Sequence, residues 1–301
     1  MSIRSRNCYV FFRTNMRSLN DRSAWYRFFA VFVPLLGALA LALAVMLQAA
    51  SPSAESVVVR QMEGAVHGFL VLRTLDDAII ANGDLIQSTH GGEVSSRLVF
   101  HFKDGSLQDE TAVFSQRGRF RLLADHLVQK GPAFKLPMDV SINGSTGLVT
   151  VRYKDDKGKD KIETARLSLP PDLANGIVPI LLKNLAPGTQ STTYSMVVAT
   201  PKPLLVKLGV TADGEDSFSI GGAGNKAIRY AIKVDIGGVR GVLAPLVGKQ
   251  PPDTHVWILG GSSPAFVKSE GPQYESGPIW RIELASPVWP KGTAGTAAPK
   301  K

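Results

Sequence analysis

The chain has 301 residues, 44% of them apolar and 20% charged, with a formal net charge of +9. That balance excludes wholesale disorder, and a single cysteine excludes both an internal disulfide framework and a cysteine-based zinc cluster. The charge is concentrated at the N-terminus: residues 1–54 carry six arginines against Asp21, whereas the other 28 basic residues are interspersed with 24 acidic ones, so no phosphate-neutralising stripe exists and no nucleic-acid partner is expected.

Residues 1–27 form an Arg-rich leader. From Phe28 to Ala50 the chain reads FFAVFVPLLGALALALAVMLQAA, 23 residues without a charge. At about 1.5 Å per residue a helix of that length crosses a hydrocarbon core of roughly 30 Å. Pro34 and Gly37 are tolerated in such a helix. The arginines before it place the leader in the cytoplasm and the exported body on the far side of the membrane. The alternative is a signal peptide cleaved near 49–54, and a start at Met16 would shorten the leader to Arg17, Arg22 and Arg27. The apolar stretch is longer than a usual signal core and no clean small-residue cleavage site follows it, which favours an uncleaved membrane anchor. Cys8 precedes the stretch, so the exported body carries no thiol to lipidate or oxidise.

Residues 51–56 are a linker, and period-2 alternation then dominates 57–290. Leu98, Phe100 and Phe102 alternate with Arg97, His101 and Lys103; Asp104-Gly105 follows as a hairpin turn, and 107–116 returns. Val149, Val151 and Tyr153 alternate with Thr150, Arg152 and Lys154, and Asp155–Lys159 reads as a solvated turn. Ile228, Tyr230, Ile232 and Val234 alternate with Arg229, Ala231, Lys233 and Asp235; Trp280, Ile282 and Leu284 alternate with Arg281 and Glu283. Weaker strand signals cover 66–74, 78–88, 119–130, 190–199, 203–212 and 254–260. One apolar and one polar face per strand is the pattern of an antiparallel sheet. About ten strands with frequent turns predict a single large curved sheet, as a half-barrel or barrel. One helical segment interrupts it near 172–185, with Asp172 as its expected N-cap and Leu173, Ile177, Ile180 and Leu181 on one face. Gly176 and Pro179 make that helix short or bent, and its apolar face is a candidate cover for the sheet. The Gly/Ala/Thr/Lys-rich residues 291–301 read as a disordered tail.

Chemistry-bearing motifs are scarce. His67, His90, His101, His126 and His255 have no compact metal-ligand spacing, so no metal is expected. Residues 222–227 fit G-x-G-x-x-A but lead into a strand rather than a helix, which reads as a glycine hairpin and implies no dinucleotide cofactor. The serine-containing turns 143–147 and 260–264 are not nucleophile elbows. Adjacent acids such as Asp76-Asp77, Asp109-Glu110 and Asp155-Asp156 point to opposite faces of a strand, so only convergence from different strands could pair two carboxyls. No catalytic residue is assigned, and a non-enzymatic role is expected.

The layout of amphipathic strands, mid-chain apolar helical segment and Trp-containing last strand resembles uncharacterised bacterial envelope proteins with an incomplete curved β-barrel, similar in shape to the lipoprotein-localisation carriers. The stretches that carry the likeness are HFKDGSLQDETAVFSQ (101–116), FRLLADHLVQKGP (120–132) and GPIWRIELASPVWP (277–290). The resemblance implies a cavity for acyl chains between the concave face and its helical cover, with no catalysis. A membrane anchor departs from a shuttling carrier. Aromatic residues near Gly/Pro loops and the apolar helix face give the candidate ligand-binding set Trp257, Trp280, Tyr274, Phe266, Leu181 and Ile177. The expected function is therefore an anchored, non-catalytic β domain binding a lipid-like or apolar ligand. The rivals are an envelope scaffold with a protein partner and no small ligand, and an exported hydrolase built on His126 or His101.

Overall fold

The structure, a computed structural model, describes residues 56–220, 223–235 and 251–285. The 1–27 leader, the 28–50 anchor, the 291–301 tail and the last five residues of the 277–290 stretch lie outside the described residues. Among the described residues, no helix is long and apolar enough to cross a membrane.

The first half of the chain is a run of eight strands: β1 (Val66–Thr74), β2 (Ile79–His90), β3 (Glu93–Phe102), β4 (Leu107–Arg117), β5 (Arg119–Lys130), β6 (Met138–Asn143), β7 (Leu148–Lys154) and β8 (Asp160–Arg166). A single short helix, α1 (Val178–Lys183), follows. The second run is β9 (Ser191–Val198), β10 (Leu204–Ile220), β11 (Ala223–Asp235), β12 (Thr254–Leu259), β13 (Ala265–Pro272) and β14 (Ile279–Leu284). All fourteen strands belong to one antiparallel sheet, ordered β8 to β1 and then β14 to β9. The pairing of β1 with β14 joins the two meanders, with Leu72 opposite Ile282. Every step within a meander is a sequential connection, which is the cheap way to build an antiparallel sheet.

The sheet must roll. Laid flat, β7 and β10 would lie about 50 Å apart at the usual strand spacing. Yet Val149 and Val151 of β7 share one buried cluster with Val206, Leu208 and Val210 of β10. Register shifts at Leu72/Arg73, Val113/Phe114, Ala212/Glu215 and Trp257/Ile258 mark local bulges, which sharpen twist and bend. The expected alternation sets the faces: Phe100 and Phe102 are buried while Arg97 and His101 are exposed, and Val149, Val151, Tyr230, Ile232, Trp280 and Ile282 all turn inward. The roll does not close by hydrogen bonds among the described residues, because β8 and β9 end the strand order.

Two expectations need correction. The chain holds more strands than expected, with β6, β8 and β13 added: β6 (MDVSIN) does alternate, burying Met138, Val140 and Ile142, whereas β8 (DKIETAR) has no buried residue to betray it. The helix is also shorter than 172–185, and Asp172 is not its N-cap. Ile177 occupies that position without a side-chain cap, and Pro179 sits in the first turn, where its missing N–H costs nothing. Residues 172–175 are committed elsewhere. Leu173 forms a parallel bridge with Ser195, and Gly176 turns the chain with φ +65° before the helix begins.

Candidate functional site

The covering segment lies on the inner face of the roll. Ile177, Ile180, Leu181 and Leu182 are buried in the same cluster as inward residues of β3–β7 and β9–β12, with Ile177 1% and Leu181 3% exposed. Each such side chain contributes about 1.5–3 kcal/mol by leaving water. Ile177 and Leu181 therefore fill the interior rather than line an open space. Trp280 and Tyr274 lie in a second cluster with Phe102 and Phe134, where the four rings meet edge-on or tilted, with centroids 5.4–6.4 Å apart. Phe266 packs against both clusters.

Trp257 stands apart from the other five. It pairs with Arg229 and Lys268 on the outer face of β12. Its ring lies under the Lys268 ammonium, 4.1 Å from the centroid, and its Nε1 donates to Asp216 at 2.7 Å. That hydrogen bond, with Arg229 beside it, holds the Asp216 carboxyl below the usual carboxylate range. The same outer face carries Lys268–Glu270, Glu270–Arg281 and Arg281–Asp77, so it is a belt of alternating charges rather than an apolar surface.

The covering segment is tied at both ends. At its start, the Asp172 carboxylate accepts from Ser195 Oγ at 2.8 Å and pairs with Lys207 at 3.1 Å. Ser195 Oγ is also 2.7 Å from Lys207 Nζ; the serine is fully buried, and this Ser–Lys–Asp group fastens the chain. Asn175 accepts from the Val197 N–H and donates to its carbonyl, both at 2.9 Å. At its end, Asn184 Oδ1 accepts from the amides of Arg60 and Gln61, and Lys183 pairs with Glu63 at 2.6 Å. Glu63 is bracketed in turn by Gln116 and Gln87, so residues 56–64 strap the helix to the rims of β2 and β4.

Beneath Gly176 lies the least ordinary chemistry of the interior. Glu110 on β4 and Asp125 on β5 both turn inward, while Asp109 turns outward to Arg97. A Cβ placed on Gly176 would sit 2.9 Å from Asp125 Oδ1 and 3.5 Å from Glu110 Oε1, so the two carboxyls converge on one point. Asp125 is 3% exposed and its Oδ1 has no hydrogen-bond partner among the described residues. Burial pushes the Glu110 carboxyl up to about 7, and burial together with Glu110 holds Asp125 well above the usual range. A second orphan, the Tyr194 hydroxyl, is buried on β9, and burial raises its pKa as well.

Sequence alternation correctly separates Asp109 from Glu110 but misses Asp125. The bulge at Leu123 is responsible: Phe114 pairs with Leu122 and Val113 with Ala124, so the phase of β5 shifts by one. Counting by twos from Phe120 and Leu122 sends Ala124 and His126 inward, and the bulge sends Asp125 inward instead. His126 consequently faces out, with Nε2 3.1 Å from Asp139 Oδ1. It borders an open depression of about 430 Å³ with Thr111, Ser141, Asn143 and Thr150. Ser141 is directly opposite His126 in the register, but no hydrogen bond joins them. His101 is exposed on the outer face of β3. Among the described residues, no group of three or more His, Cys, Asp or Glu could hold a metal.

No family model and no curated protein matches the chain. Among solved structures it is similar to a beta-barrel-like protein of a domain of unknown function, DUF1849, from Brucella abortus, at 8% identity and a TM-score of 0.39, covering 74% of this chain and 98% of that chain.

Proposed function

We propose that the β domain is a non-catalytic scaffold or interaction module of the bacterial envelope, held at the membrane by the 28–50 segment with its body in the periplasm. The observation that supports this most is the filled interior: the place where a carrier would hold its acyl chain is taken by Ile177, Ile180, Leu181 and Leu182 of the chain itself. Contact with a protein partner then falls to the outside. There Phe69, 53% exposed, and Ile86 stand on the outer face of neighbouring strands, with the His67 ring 4.6 Å from that of Phe69. Single exposed apolar residues are ordinary, but two on one polar sheet face are the natural anchors for a partner. The Ser–Lys–Asp and His–Asp groups lend no support to a hydrolytic reading, because Ser195 and Asp172 are buried and His126 has no serine bonded to it.

A second reading is binding of a lipid-like ligand, favoured by the Phe102, Phe134, Tyr274 and Trp280 cluster beside the 277–278 loop. Native mass spectrometry of the chain expressed in a periplasm, with organic extraction of what stays bound, separates the two. A clean apo mass is the expected outcome for the scaffold; a retained acyl lipid overturns it in favour of the carrier.

A further inference from the structure

The Glu110–Asp125 pair has no role in holding strands together, and its surroundings make it costly. Across β3 the inward neighbours are Ser96 and Leu98; across β6 they are Val140 and Ile142; along β4 and β5 they are Gln108, Ala112, Leu127 and Gln129. None carries a charge. The charges of the covering segment are engaged elsewhere, Asp172 with Lys207 and Lys183 with Glu63. Those on the other side of β3–β5, Arg97, Asp109, His101 and His126, project outward. Among the described residues neither carboxyl forms an ion pair.

We propose that Glu110 and Asp125 are a proton latch for the covering segment Asp172–Asn184, which lies on the sheet while the pair keeps a proton and lifts when both carboxyls ionise. The contact is direct, because the Gly176 backbone rests on the pair with no room for a methyl group: a Cβ there would be 2.7 Å from that of Ala112. Two carboxyls facing one point, Asp125 buried and Glu110 partly buried, favour keeping a proton between them, and the Gly176 backbone lies directly against both. Ala112, Val140 and Ile142 below it are apolar, so lifting exposes a new hydrophobic face.

The sign follows from the raised carboxyls. The closed form binds more protons than the open one, so closure is fully favoured at acid pH, below the ordinary carboxylate range, and is lost as pH rises towards and through the value of about 7 for Glu110. In that window opening increases by about tenfold per pH unit for each proton released.

The test is hydrogen exchange of the full chain at pH 5.5 and 8.0, corrected for intrinsic rates. The Ala174, Ile180 and Leu181 amides, bonded to Ser195 and Ile177 carbonyls, report the segment. Their protection is expected to fall at least about tenfold between the two pH values while the amides of β3 are unchanged. Asp125→Asn is expected to abolish the fall, and Glu110→Gln to reduce it. Should one variant not fold, the other decides. Equal wild-type protection at both pH values overturns the latch, as does a full fall retained in the variants or failure of both variants to fold at pH 5.5. A fall suppressed by calcium and restored by EDTA would assign the pair to a cation and also overturns it.

Discussion

Strand β8 ends the sheet with Asp160, Lys161, Glu163 and Arg166 within seven residues and leaves its outer edge to solvent among the described residues. Strand β9 ends the same sheet with Tyr194, Ser195 and Val197 buried, and its edge is covered: Ser195 bonds the Asp172 carbonyl and the Ala174 amide, and Val197 bonds the Asn175 side chain. An open edge is a template for unwanted pairing, and charge or cover are two ways to block it. The difference lies in what each strand has to bury. The inner residues of β9 belong to the main core, so its edge cannot be made polar on both faces; β8 contributes no buried residue and can afford charge throughout. One consequence is that the cover of β9 and the plug of the interior are a single segment, so edge protection and core packing fail together.

Three substitutions test that contrast by urea unfolding. Leu181→Ala empties a fully packed site at the plug and is expected to cost about 2–5 kcal/mol. A loss below 1 kcal/mol would mean the segment is loosely seated and the two edges are not so different. Asn175→Ala leaves the Val197 N–H and carbonyl without partners and is expected to cost about 1–3 kcal/mol, with faster exchange of the Val197 amide as the local readout. Ile162→Lys replaces a residue that is 65% exposed on β8 and is expected to change stability by no more than about 0.5 kcal/mol. If Ile162→Lys proves as damaging as Asn175→Ala, β8 has a partner of its own and the contrast collapses.

The strands with clean alternation were legible because burial on one face imposes period two. Residues 97–102, 149–153, 228–234 and 280–282 behave as their patterns predict. β8 was not legible, since an edge that buries nothing leaves no apolar trace. The short helix was foreseen but its start was not. Asp172 has the residue type of an N-cap, yet its carboxylate is worth more bonded to Ser195 and Lys207. Of the six candidate binding residues, Ile177 and Leu181 fall in the main core, Trp280 and Tyr274 in the second cluster, and Phe266 against both, while Trp257 lies on the outer face. Residue type alone cannot separate those places, because an aromatic under a lysine and an aromatic in a core look alike in one dimension.

Local chemistry by itself determined an antiparallel sheet, its two faces and one short helical interruption, because alternation and turn residues act over a few positions. The tertiary structure decided where the sheet ends, which residues plug it, and which acid faces inward. The last of these turns on one inserted residue at Leu123: a bulge is set by how β4 and β5 must bend together, and it moves Asp125 under Gly176 and His126 into solvent.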